Sequence, residues 1–126
     1  MQGYFLGASL ILLASTASSA VETPSITMPV VASACQLPKS PTIPDGSHAT
    51  DAQLEDAIIR IKSFQADLMD YRQCLQKEET AFGEALNAAQ KDYIAQLYNS
   101  SVDTEASIAA NFNAQIKIFR ETQVVK

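Results

Sequence analysis

The chain has 126 residues, with fourteen Asp and Glu against nine Lys and Arg for a net charge of −5, and 47% of its residues are hydrophobic. That balance excludes a phosphate-tracking surface, because nucleic-acid binding rests on Lys and Arg neutralising the backbone, and it disfavours adhesion to anionic lipid. The length suits one small domain.

Residues 1–20, MQGYFLGASLILLASTASSA, hold an apolar run from Tyr4 to Ala14, followed by small residues with Ser18 and Ala20 where an exporting peptidase reads. This is the pattern of a cleavable signal peptide, although no Lys or Arg precedes the run. The run is shorter than the roughly 20 apolar residues that span a bilayer, so no membrane insertion is expected after cleavage. Residues 21–34 follow with Thr, Ser, Pro and Val in no helical or strand period, which reads as a flexible leader. The expected domain occupies 35–126.

Cys35 and Cys74 are the only cysteines. In an oxidising compartment an even pair becomes a disulfide, and their separation suits neither a CxxC redox motif nor a zinc knuckle. Ala32, Ser33 and Ala34 before Cys35 also suit a lipidated cysteine, but the preceding VETPSITMP is no apolar export core.

From Cys35 the sequence CQLPKSPTIPDG places Pro38, Pro41 and Pro44 at every third position. A polyproline II segment turns once in three residues, so the cysteine and prolines share one edge. Residues 45–50, DGSHAT, then supply a reversal.

A helix is predicted over about 51–82. Thr50 is its N-cap with Gln53 as capping-box partner, and Asp51, Glu55 and Asp56 sit at the positive end of its dipole. Its apolar stripe reads Leu54, Ile58, Ile61, Phe64, Leu68, Tyr71 and Leu75. Gly83 breaks it. Asn87 and Gln90 form a second capping box, and a second helix is predicted over about 88–121, carrying Tyr93, Ile94, Leu97, Tyr98, Val102, Ile108, Phe112, Ile116 and Phe119. YNSSVD at 98–103 competes with helical hydrogen bonding, but the apolar spacing passes through it without a phase slip. Matched lengths and a short connection give an all-α fold, a long antiparallel two-helix hairpin.

The strip and the first helix have compatible reach. Cys35 to Pro44 covers about 28 Å as polyproline II, and Asp51 to Cys74 covers about 35 Å of helix. The strip therefore runs back along helix 1 and delivers Cys35 to Cys74. A hairpin this slender needs such a staple, and closing a loop of about 40 residues constrains the unfolded chain by roughly 3 to 4 kcal/mol.

No HExxH, GxSxG or phosphate-cradling loop occurs, so no metal, cofactor or catalytic residue is expected. His48 is the single histidine and stands in a turn without partners at fixed spacing. Glu78, Glu79 and Glu84 read as a solvated acidic face, and Asp67 and Asp70 as surface. Asn99, Ser100 and Ser101 form a sequon, poorly placed within a helix. Ile59, Ala66 and Met69 form a minor apolar stripe that either covers the proline strip or marks a partner surface.

The C-x2-P-x2-P-x2-P-D-G pattern at 35–46, the Cys74–Leu75 pair and the tail at 98–119, with Asn113 and Gln115, resemble a group of small exported proteobacterial proteins of unknown function. The resemblance implies an envelope location and a disulfide-tied hairpin, and transfers no functional residue. The expected role is a non-enzymatic periplasmic or secreted protein that acts through its helical surface on itself or on a protein partner. The second expectation is a carrier or chaperone-like binder that holds an apolar ligand or client between the helices, using Phe64, Tyr71, Phe82, Tyr93, Tyr98, Phe112 and Phe119.

Overall fold

Residues 34–125 are described by a computed structural model. The expected signal peptide, and the expected leader up to residue 33, lie outside them.

The fold is two packed helices, α1 (Asp51–Phe82, 32 residues) and α2 (Ala88–Val124, 37 residues), joined by a 3-10 turn at Gly83–Ala85. No strand occurs among the described residues. Local chemistry sets the boundaries. Thr50 Oγ1 accepts from the Gln53 N–H at 3.2 Å while Gln53 Oε1 accepts from the Thr50 N–H at 2.9 Å. Asn87 and Gln90 repeat the exchange at 2.9 and 3.0 Å. Each box satisfies two N–H groups that the helix itself leaves without partners. Gly83 ends α1 at φ +46° and ψ −120°, a combination that only glycine adopts readily.

The seven buried positions of α1 are Leu54, Ala57, Ile61, Phe64, Leu68, Tyr71 and Leu75, alternating steps of three and four. This is a seven-residue repeat. It corrects one position: the stripe passes through Ala57, fully buried, while Ile58 remains 38% exposed. A strict 3.5-residue period from Leu54 lands on 57, and alanine there leaves room for close approach.

α2 runs unbroken through YNSSVD and extends three residues past the expected end near 121. The hydroxyls that compete with helix are absorbed by it: Ser101 Oγ donates to the Tyr98 carbonyl at 2.6 Å, and Thr104 Oγ1 to the Ser100 carbonyl at 2.8 Å. Such back-bonding keeps the polar groups satisfied without leaving the helix.

A core cluster near the hairpin tip joins Cys35, Tyr71, Leu75, Leu86 and Ile94. Leu86, in the connection, caps that end of the core. Along α2 only Ile94 and Ser101 are fully buried. Ile108, Phe112, Ile116 and Phe119, further along, are half-buried.

Ahead of α1, residues 36–45 have no regular secondary structure. One end is fixed by the Cys35–Cys74 disulfide, with Cα atoms 5.7 Å apart. At the other end the Gly46 N–H donates to Gln115 Oε1 at 2.8 Å. There the chain lies so close to α2 that a Cβ on Gly46 would collide with the Gln115 carbonyl. Pro38, Pro41 and Pro44 are half-buried, as is Ile43, whereas Gln36, Leu37, Lys39, Ser40 and Thr42 are exposed.

Candidate functional site

A two-helix hairpin has two long grooves, one on each flank of its seam, and here they differ. The first is lined by Gln36, Leu37, Pro38 and Lys39 on one wall and by Asp67, Asp70, Tyr71 and Cys74 of α1 on the other, enclosing about 520 Å³. Cys35 and Cys74 are joined in a disulfide as the sequence predicts, and Pro38 lines the groove beside Cys74. Asp67 and Asp70, expected as plain surface, stand on the rim of this groove. The buried Tyr71 lies at its floor, where desolvation, and secondarily the neighbouring Tyr93, push its phenol above the ordinary value.

The second groove lies on the opposite flank. On α1 the row Arg72, Gln76, Glu79 runs beside the buried row Leu68, Tyr71, Leu75, with Asp67, Asp70 and Cys74 on its other side. Near the tip this groove is lined by Leu75, Gln76, Glu79, Ile94, Ala95, Tyr98 and Asn99, and holds about 210 Å³. One turn toward the start of α1, Arg72 Nη2 meets Glu105 Oε2 at 2.9 Å, with the two side chains only 14% and 28% exposed. The other nitrogen, Nη1, is buried without a hydrogen-bond partner among the described residues. This pair ties the helices in register, and sequence spacing alone carries no signal for it because its members lie on different elements.

Ile59, Ala66 and Met69 do not cover the proline strip. All three are exposed, Ile59 by 67% and Met69 by 54%. The α1 residues that share a groove with residues 36–39 are Asp67, Asp70, Tyr71 and Cys74 instead.

The DGSH turn at 45–48 gathers a serine, a histidine and an aspartate, which residue spacing did not disclose. Ser47 Oγ lies 2.8 Å from His48 Nδ1 and 2.7 Å from Asp45 Oδ1, and His48 Nδ1 lies 2.9 Å from Asp45 Oδ2. Both partners address the same ring nitrogen. A relay needs the base to take a proton at one nitrogen while the acid holds the other, so this cluster has the wrong connectivity for nucleophile activation. Its role is local. The Asp45 carboxylate accepts from His48, from the Ser47 hydroxyl and from the Ser47 N–H, and these bonds, His48 first, lower its pKa to about 2. The Asp45 carbonyl accepts from the His48 and Ala49 N–H groups at 3.1 and 2.8 Å, which closes the reversal before Thr50.

Within the sequon, Asn99 is exposed, whereas Ser101 is 1% exposed and its hydroxyl is engaged within the helix. Among the described residues no three His, Cys, Asp or Glu side chains converge on a common point. Glu78 and Glu79 are half-buried and Glu84 is exposed. No helix among the described residues is long and apolar enough to cross a membrane. No family model, curated protein or solved structure matches the chain.

Proposed function

We propose that this protein acts without catalysis, as a structural or protein-interaction component of the cell envelope, in the periplasm or secreted. The carrying observation is a covalently tied hairpin that fixes its own shape while leaving Ile59, Met69 and Val102 on its surface. Exposed large apolar side chains on a rigid scaffold are what a partner buries. The closed disulfide is consistent with an oxidising compartment.

In this reading residues 35–46 form a polyproline II strip packed along α1, its proline edge turned inward. The rhythm of half-buried prolines among exposed neighbours, and the two anchors at Cys74 and Gln115, support that placement. Preset proline backbone lowers the entropy lost on docking. The strip works as a third rod, converting a two-helix hairpin into a three-element body.

A carrier of apolar ligands has less support. The aromatics Phe64 and Tyr71 are consumed in the core, the groove between the helices is smaller than the roughly 300–1,000 Å³ usual for ligand sites, and the larger groove beside residues 36–39 is walled in part by Lys39, Asp67 and Asp70.

The test is cross-linking of the purified protein in intact envelope fractions, read by mass spectrometry, against a variant carrying Ile59→Glu and Met69→Glu. The expected result is a specific cross-linked protein species, this chain or another, from the parent protein. Saturable uptake of a hydrophobic dye or lipid by the native protein, with no cross-linked species, would replace this reading with the carrier.

A further inference from the structure

We infer that the outer flank of α2 is a self-pairing face, which binds the same flank of a second copy antiparallel about a two-fold axis near Ala106. The inference rests on the interaction role proposed above and assigns one of its exposed apolar residues, Val102, a partner in a second copy of the chain.

The residues of α2 that face α1 include Ile94, Tyr98, Ser101, Glu105, Ile108 and Phe112. Shifting each by one position gives Ala95, Asn99, Val102, Ala106, Ala109 and Asn113, with Ile116 next, in the same alternation of four and three. α2 therefore carries a second seven-residue repeat about 100° around the helix from the first. Ala95 and Asn99 border the open groove, so this repeat lies on the flank away from the proline strip. Ala95, Asn99, Val102, Ala106 and Asn113 are exposed, and Ala109 and Ile116 are half-buried.

Charge selects the occupant. The row holds no ionisable residue between its two ends. Glu105 is turned inward to Arg72, and Asp103 stands one row further round. At the ends the same row reaches Asp92 and Arg120, fourteen residues before and after Ala106. Both are exposed, and neither forms an ion pair among the described residues. Antiparallel pairing about Ala106 places Asp92 of each copy by Arg120 of the other, and Asn99 near Asn113 of the other. Parallel pairing would set like charges together. A surface whose reverse is its own complement is what an isologous two-fold contact requires, and the small side chains at its centre permit close approach of the two helices.

The strip is modest in area. An uncharged length of about 30 Å and a width of about 10 Å bury roughly 600 Å² in total, at the weak end of specific contacts. Dimerisation is accordingly expected at tens to hundreds of micromolar.

Sedimentation equilibrium of the disulfide-bonded protein, from micromolar to about millimolar and at low ionic strength, tests this. A monomer–dimer equilibrium is expected. Ala106→Glu should abolish it, because two carboxylates would meet at the axis. Asp92→Arg and Arg120→Asp should each weaken it by roughly fivefold or more, and the two combined should restore it. Ile59→Glu, on the far side of α1, should leave it unchanged. Circular dichroism confirms that each variant keeps its helices. A strict monomer across the range, a dimer indifferent to Ala106→Glu, or failure of the charge swap to restore association overturns the pairing. If a monomeric protein still cross-links to an envelope protein, only the pairing falls and the interaction role stands.

Discussion

α1 and α2 carry the same seven-residue rhythm at similar length, yet α1 buries seven positions fully and α2 only two. We attribute the difference to the neighbours of each helix. On the proposed placement of the strip, α1 has α2 on one flank and the prolines on the other. The far half of α2 has α1 and, at Gln115 and Phe119, only the close approach of the Gly46 reversal, and Ile108, Phe112, Ile116 and Phe119 stay half-buried. A hairpin lacking its third rod would leave both helices in the condition of α2, and each prediction below presses on that contrast.

The largest effect is expected at the centre of the buried row. Leu68 is 0% exposed, and Leu68→Ala should cost about 4 kcal/mol, through lost transfer energy and the cavity left behind. Phe112→Ala removes a larger side chain from a half-buried site and should cost about half as much. Chemical denaturation of both variants measures this, and equal losses would erase the distinction between the helices.

Next comes the tie itself. Replacing Cys35 and Cys74 together by serine releases the loop, and should lower stability by roughly 3 kcal/mol. An unchanged melting temperature would remove the disulfide from the account. Gly46→Ala probes the other anchor. A methyl there meets the Gln115 carbonyl and displaces the reversal from α2, with an expected loss of about 2 kcal/mol. Crystallography or NMR of that variant should show the Gly46–Gln115 hydrogen bond broken and the disulfide intact.

The smallest effect concerns acid. Asp45 has its pKa lowered from 3.8 to about 2 by His48 and Ser47. Its folded value lies below its unfolded one, so its contribution to stability is present above pH 4 and is lost as pH falls toward 2. The turn is exposed, which keeps the contribution small. Asp45→Asn should flatten that part of the stability profile between pH 4 and 2, and an unaltered acid limb would show the turn energetically silent.

Much of this architecture was legible from local chemistry. Thr50–Gln53 and Asn87–Gln90 are capping boxes whose partners lie three residues apart, and Gly83 marks its own break, so the helix starts could be read directly. The pairing of Cys35 with Cys74 followed from their being the only two cysteines in a chain with an export pattern. Features built across elements were hidden. The Gly46–Gln115 bond spans 69 residues, and Arg72–Glu105 joins two helices, so no window of sequence contains either. Hydrophobicity ranks Ile58 above Ala57, whereas the 3.5-residue seam selects by position. The Ser47–His48–Asp45 cluster needed the turn's geometry before its shared ring nitrogen could be seen.

The most direct measurement of the central claim, that a tethered proline arm gives α1 its deeper burial, is amide hydrogen exchange on the oxidised and the reduced protein. With the disulfide closed, amides of residues 61–75 should exchange much more slowly than those of 104–119. On reduction the difference should shrink as α1 loses one flank. If α1 keeps its full protection with both thiols free, the arm is not what covers it.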